Sequence, residues 1–203
     1  MADHPLLSPD FPLRTDRLLL RPWRPNDREA FAAMLADPGV VRHLYHGPLT
    51  AEESARKQAS RISVITDVGA WMNLAVEVAV TGQVAGDVGL CWTSTEHRQA
   101  EVGYVFTPDH CGRGYATEAV AALVDVAFTD LGAHRVSGRL DARNTASARL
   151  LERLGMRREG LLVENELVKG EWTSELVYAV LDREWSGRPY PVAKQRNEPP
   201  PPL

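Results

Sequence analysis

The stretch from residue 101 to residue 131 constrains this chain more than any other. Glu101-Val102-Gly103-Tyr104-Val105-Phe106 alternates in the manner of a β-strand and is stopped by Pro108. From Val120 the period changes: Val120, Leu123, Val124, Ala127, Phe128 and Leu131 recur at i, i+3, i+4, i+7, i+8 and i+11, the stripe of a helix with one face buried against a sheet. Cys111-Gly112-Arg113-Gly114 lies between the two. Two glycines within four residues let the chain turn tightly and leave backbone N–H groups free at a helix start, where they can bind phosphate; Arg113 adds positive charge. Read alone, the turn fits a plain β-α connection that uses glycine for geometry equally well.

The rest of the chain continues the alternation of periods. Residues 17–21 form a first strand, stopped by Pro22 and Pro25, and Asn26 or Asp27 caps a helix to about Ala36. Thr50 with Glu53 is a capping box for a second helix. Residues 74–80, the turn Thr81-Gly82-Gln83 and residues 84–92 read as a β-hairpin. Gly132 ends the long helix. A strand follows over 134–140, then a helix over 144–154 stopped by Gly155, then strands around 158–167 and 172–181. The expected fold is α/β (α+β), a mixed sheet of about seven strands flanked by helices, in the order β-α-α-β-β-β-α-β-α-β-β. Residues 1–13 read as an extension, 14–185 as one domain, and 186–203, ending Pro199-Pro200-Pro201-Pro202-Leu203, as a Pro-rich disordered tail that lacks any specific ligand signal.

Composition narrows the function. The 203 residues, 44% hydrophobic and 25% charged, suffice for one sizeable core. With 23 Lys and Arg against 27 Asp and Glu, the net charge of -4 gives no general attraction to nucleic acid. The expected compartment is the cytoplasm: there is no signal peptide or membrane span, and Cys91 and Cys111 form no Cys-x-x-Cys pair or disulfide framework.

Phosphate-binding motifs can be tested on the glycine turn. A P-loop needs Lys after its second glycine, yet Gly114 is followed by Tyr115-Ala116-Thr117; a dinucleotide turn needs Gly or Ala where Thr117 stands. What the segment Cys111-Gly112-Arg113-Gly114-Tyr115-Ala116 does resemble is the Gln/Arg-x-x-Gly-x-Gly/Ala turn of the GNAT superfamily of N-acetyltransferases, with Cys111 where Gln or Arg is usual. Thr15-Asp16-Arg17-Leu18-Leu19-Leu20-Arg21, Gly114-Tyr115-Ala116-Thr117-Glu118-Ala119, and Asn144-x-x-Ser147 followed by Leu150-Leu151-Glu152-Arg153-Leu154-Gly155-Met156 are similar to its RimJ/RimL-like branch, the ribosomal-protein N-terminal acetyltransferases. The resemblance covers residues 13–185.

It implies a single GNAT-like domain and acetyl-CoA as co-substrate. The main chain of Tyr104, Val105, Phe106 and Thr107 would pair with the pantetheine arm. Cys111, Gly112, Arg113, Gly114, Tyr115, Ala116 and Thr117 would bind the cofactor, the N–H groups from Gly112 to Thr117 holding the pyrophosphate, and Asn144 would contact the pantetheine near the thiol. Asn144 serves equally as a helix N-cap. Ser147, one turn on, would lie near the leaving sulfur or stand exposed. Glu101 is the candidate base for the acceptor amine, with a surface ion pair as the alternative; Tyr104 would orient substrate or pack.

The acceptor is a primary amine, on a protein N-terminus or a small molecule. An α-amino group with a pKa of about 8 needs less help than a lysine near 10.4. Its pocket is expected from segments 42–50 and 161–171. A non-catalytic acetyl-CoA-binding regulatory module is the rival reading: it would need Gly112, Gly114 and Asn144 but neither Glu101 nor Ser147. No metal is expected, since His43-x-x-His46 lacks accompanying carboxylates, and Cys111, with only its chain neighbour His110 beside it, is a poor acyl carrier. Trp71, Trp92 and Trp172 are expected to pack rather than form a binding platform, and a homodimer is compatible with the sequence.

Overall fold

The computed structural model describes residues 11–61 and 63–185; residues 1–10 and the Pro-rich tail from 186 lie outside the described residues. One eight-stranded sheet carries the domain, one strand more than expected because a two-residue strand, β1 (Leu13–Arg14), precedes β2 (Leu18–Arg21). Two residues are too few to show a period, so no pattern announces β1.

Pro25–Asp27 form a 3-10 turn before helix α1 (Arg28–Ala36). Asp27 stands at the N-cap as expected but does not cap with its side chain. Its carboxylate instead takes Arg21 Nη1 and Nη2 at 2.7 and 2.9 Å and the Arg24 N–H at 2.7 Å, fixing the exit from β2. Helix α2 (Ala51–Ala59) begins on the expected box: Thr50 Oγ1 accepts from Glu53 N, and Glu53 Oε2 accepts from Thr50 N. The antiparallel hairpin is β3 (Trp71–Val78) and β4 (Val84–Ser94), followed by β5 (Gln99–Phe106), α3 (Tyr115–Thr129), β6 (Arg135–Asp141), α4 (Thr145–Arg153), β7 (Arg157–Val168), β8 (Glu171–Leu181) and a closing turn of helix, α5 (Asp182–Trp185).

The sheet order is β1-β2-β3-β4-β5-β6-β8-β7. Every adjacent pair is antiparallel except β5 and β6, which run parallel and pair only at Gln99↔Arg135, Ala100↔Val136 and Glu101↔Ser137. Beyond Glu101 the two strands separate, so residues 102–106 keep β4 on one side and lose a strand partner on the other. The backbone groups of that free edge require some other partner.

Alternation along β5 gives its two faces different neighbours. Val102, Tyr104 and Phe106 belong to the main core with α3, where Val120, Leu123 and Val124 are at most 1% exposed; each such side chain contributes about 1.5–3 kcal/mol by burial. Val105, pointing the other way, packs against Phe31, Met34, Leu35 and Val41 beneath α1. Among the described residues no helix is long and apolar enough to cross a membrane.

Candidate active site

The parting of β5 and β6 opens two adjoining cavities. One, of about 730 Å³, runs from the glycine turn along Tyr104, Val105 and Phe106 to the start of α4. The other, of about 410 Å³, lies over the sheet between α1, α2 and the β7–β8 hairpin. His43, Leu44, Tyr104, Val105, Asn144 and Ser147 border both.

The larger cavity is a cleft shaped for a polyanion with an extended arm. Gly112 and Gly114 have φ of +74° and +81°, the left-handed region closed to most side chains, and Gly114 is the N-cap residue of α3. A helix start leaves its first N–H groups without intrahelical partners, and the residues that carry them here line the cleft. Arg42, His43, His110, Arg143 and Arg153 line the cleft together with Cys111, Gly112, Gly114, Tyr115, Ala116 and Thr117, and no Asp or Glu does. Two of the expected cofactor residues stand aside. Thr107 directs its hydroxyl to Ala85 O and His110 Nδ1, and Arg113 is exposed outside the lining, its carbonyl accepting from Arg17 Nη1 at 2.9 Å.

Asn144 does what its sequence context suggested for a cap: its Oδ1 accepts the Ser147 N–H at 3.1 Å, and both residues remain at the junction of the cavities. The Tyr104 hydroxyl donates to the Ser147 carbonyl at 3.3 Å, joining β5 to α4 across the gap. Burial pushes the Tyr104 phenol up to about 12, outweighing the opposite pull of Ser147 and Arg153, so near neutral pH it keeps the proton it donates.

Glu101 lies at the last paired position of β5 and lines the smaller cavity, on the sheet face away from Tyr104. Its pKa is raised, by burial first and by Glu175 as well, against the attraction of Arg139. Arg139 is bound to Glu175, whose oxygen also accepts from Asn165 Nδ2 at 3.2 Å. Among the described residues nothing hydrogen-bonds the Glu101 side chain, which leaves its carboxylate free to meet a ligand. The floor beside it is Trp71, which lies across the facing pair Gly89 and Gly103; a Cβ on Gly103 would stand 3.0 Å from the ring. Trp71 is therefore cavity wall, contrary to the packing role expected for it, while Trp92 is buried in the core and Trp172 is exposed.

Both segments expected to shape this pocket border it, through Leu44, Tyr45 and His46 on one side and Glu166 and Val168 on the other. Lys169 Nζ ties them together by donating to Val41 O and Arg42 O at 2.8 and 2.9 Å. At the far end Arg61 bridges Asn73 Oδ1 and Asp87 Oδ2 at 2.9 and 2.6 Å. His43 faces Asp141 at 3.6 Å rather than His46, and among the described residues no group of three or more His, Cys, Asp or Glu is placed to hold a metal. Cys111 is exposed and its Sγ donates to Thr107 O at 3.4 Å.

Sequence reasoning missed the basic wall of the cleft (Arg42, Arg143, Arg153), the Arg139–Glu175 pair and the Arg61 bridge. These residues come from loops, strands and the end of α4, far apart in the chain, and no local period marks their role, Arg153 being visible only as a letter of a motif. Arg17 and Glu118 were visible, but only as letters of a motif.

Comparison with known proteins agrees with this geometry. Residues 17–157 match the model of the acetyltransferase (GNAT) domain. The uncharacterized N-acetyltransferase p20 of Bacillus licheniformis is 32% identical over 175 residues, 86% of this chain and 98% of that protein. A GNAT-family acetyltransferase from Bacillus anthracis superposes with a TM-score of 0.77 at 28% identity, over 85% of this chain and 99% of the other. A spermidine N-acetyltransferase from Vibrio cholerae, in complex with CoA and spermine, shares the fold with a TM-score of 0.68 at 22% identity, over 83% and 98% of the two chains.

Proposed function

Because this chain belongs to the acetyltransferase (GNAT) domain family and is an acyltransferase, we propose that it transfers an acetyl group from acetyl-CoA to a primary amine by direct attack in a ternary complex. One observation carries the reading: two cavities of different chemistry meet at the parting of β5 and β6, one walled by cations and free backbone groups, the other holding an unpaired carboxylate.

The residues fit acetyl-CoA. The N–H groups of residues 112–117 would hold its diphosphate, and the free edge formed by Val105 and Phe106 would pair with its pantetheine amides, the Thr107 N–H and carbonyl being already bonded to Ala85 O and His110 N. Bound there, it supplies a thioester carbonyl and a thiolate leaving group. Glu101 takes the proton of the incoming amine, directly or through one water; its raised pKa improves it as a base. Ser147, at the opposite side of the gap, would give a hydrogen bond to the departing sulfur, and Tyr104, whose hydroxyl donates to the Ser147 carbonyl, would orient Ser147. Neither cysteine has a base suited to an acyl-enzyme route.

The acceptor we favour is a protein N-terminal amine, on the strength of the RimJ/RimL-like motifs, with small amines as the second class. Residues 14–185 form the transferase domain in this reading, working in a reducing cytoplasm that suits the unpaired Cys91 and Cys111. The non-catalytic alternative leaves the free Glu101 beside the junction without a purpose. Thiol release from acetyl-CoA against a panel of small amines and ribosomal-protein N-terminal peptides tests the proposal. Release stimulated by an amine with mass gain on that amine supports it; binding without transfer to any acceptor would favour the regulatory module.

A further inference from the structure

The segment Thr15-Asp16-Arg17 reaches from the start of the sheet to the head of α3 and is bonded there at several points. Both oxygens of Glu118, in the first turn of α3, are saturated. Oε1 accepts from Thr15 Oγ1 at 2.6 Å and from Arg17 N at 2.9 Å. Oε2 accepts from Arg17 Nε at 2.7 Å and lies 2.6 Å from Arg17 Nη2. The remaining guanidinium nitrogen, Nη1, donates to the carbonyl of Arg113 at 2.9 Å, in the middle of the glycine turn. The guanidinium also lies over the Tyr115 ring at 4.9 Å, and a Cβ on Gly114 would come within 3.3 Å of Nη2.

We infer that Arg17 is a positioning residue for the diphosphate of the donor: it clamps the glycine turn from outside, and so holds the N–H groups of residues 112–117 in their binding orientation. The inference rests on the proposed acetyl-CoA reading of the cleft. Three physical arguments support the assignment. The Arg17 side chain is 49% exposed, so its ion pair contributes little to global stability, and such a complete set of bonds at an exposed site calls for a local reason. The carbonyl it binds belongs to the residue between the two left-handed glycines, whose conformation is the one the turn must keep. Finally, a carboxylate at the head of α3 opposes a bound diphosphate, and Arg17 cancels that charge.

Arg17 thus acts through the loop rather than by touching the reacting atoms. Lysine cannot replace it, since one ammonium cannot span Glu118 and the Arg113 carbonyl in a fixed plane.

The test compares two donors that share the thioester and differ in the diphosphate: acetyl-CoA and acetyl-pantetheine. For Arg17→Ala, KM for acetyl-CoA should rise about 10- to 100-fold with kcat nearly unchanged, whereas kcat/KM for acetyl-pantetheine should move by less than about twofold. Arg17→Lys should recover only a small part of the loss. An equal loss on both donors, or full recovery by Lys, would overturn the clamp. Calorimetric titration of coenzyme A reads the same clamp when no acceptor is known: wild type should bind, and Arg17→Ala, with an unchanged thermal midpoint, should bind about tenfold or more weakly. Equal affinities would overturn the inference while leaving acetyl transfer standing; no affinity in wild type would instead remove the acetyl-CoA reading on which it rests.

Discussion

The cleft at the glycine turn and the cavity over Glu101 lie side by side, yet they are built on different principles. The cleft takes its essential groups from one continuous run, residues 104–117, in which left-handed glycines and a helix start present main-chain donors. The cavity is a mosaic of α1, α2, α4, four strands of the central sheet and the β7–β8 hairpin, and its character comes from side chains: Glu101, Trp71, the Arg139–Glu175 pair and the Arg61 bridge. A ligand read by backbone is tied to the fold, while one read by side chains can change with a few substitutions. The donor site should therefore be robust and specific, the acceptor site adjustable.

That contrast can be broken in several places. The largest effect is expected at Glu101. Glu101→Gln should lower kcat at pH 7 by about 10²–10⁴-fold and leave acetyl-CoA affinity alone. Because burial raises the Glu101 pKa, the wild-type acidic limb of kcat/KM should lie above the ordinary carboxylate range: activity grows as pH rises through that value and the base ionises. The variant should lack this limb, and its deficit should shrink at high pH as more amine is neutral unaided. Superimposed pH–rate profiles would take Glu101 out of the mechanism.

Tyr104→Phe comes next. Losing the hydroxyl that bonds Ser147 O should reduce kcat about tenfold, a loss of about 1.4 kcal/mol in the transition state, with KM for acetyl-CoA little changed. A rise in KM alone would make Tyr104 part of the donor wall and blur the division between the two regions.

Helix α4 belongs to both regions, and Leu151, 1% exposed, seats it against Gly138, where a Cβ would stand 2.9 Å from Leu151 Cδ1. Leu151→Ala should cost about 2–5 kcal/mol in denaturant unfolding, and saturating substrate should restore near-normal turnover in the fraction that folds. A folded but inactive variant would show that α4 placement, rather than the chemistry of Glu101, limits the rate. The smallest effect is expected at Cys111. Cys111→Ala should keep activity within about twofold, with intersecting lines in two-substrate kinetics; parallel lines with an acetylated Cys111 in the mass spectrum would contradict direct transfer.

How far the sequence could be read follows the same contrast. The strand, turn and helix from residue 99 to residue 129 were legible because period 2, two glycines and period 3.6 are local signals, and the Thr50–Glu53 box and the Asn144 cap are equally local. The two-residue β1 gave no period. Asp27, one of the two residues expected at the helix start, stands there, but its partner, Arg21, is chosen by tertiary geometry. Arg139, Glu175, Arg61 and Trp71 escaped notice as site residues because burial and pairing, not spacing, make them so. The Thr15–Arg17 segment lay between these cases: the letters were recognisable, and only the folded chain brings them to the Arg113 carbonyl, about a hundred residues away along the chain.

The central claim is that the donor diphosphate sits on the backbone of residues 112–117, and calorimetric titration of acetyl-CoA into wild type and Gly114→Val tests it most directly. Gly114 has a φ of +81°, so valine strains the turn, and its Cβ would crowd Arg17 Nη2 at 3.3 Å, displacing the backbone N–H groups the diphosphate needs. A folded Gly114→Val variant, verified by circular dichroism and thermal midpoint, is expected to bind acetyl-CoA at least about tenfold more weakly than wild type. Unchanged affinity in that folded variant would contradict the assignment of the cleft.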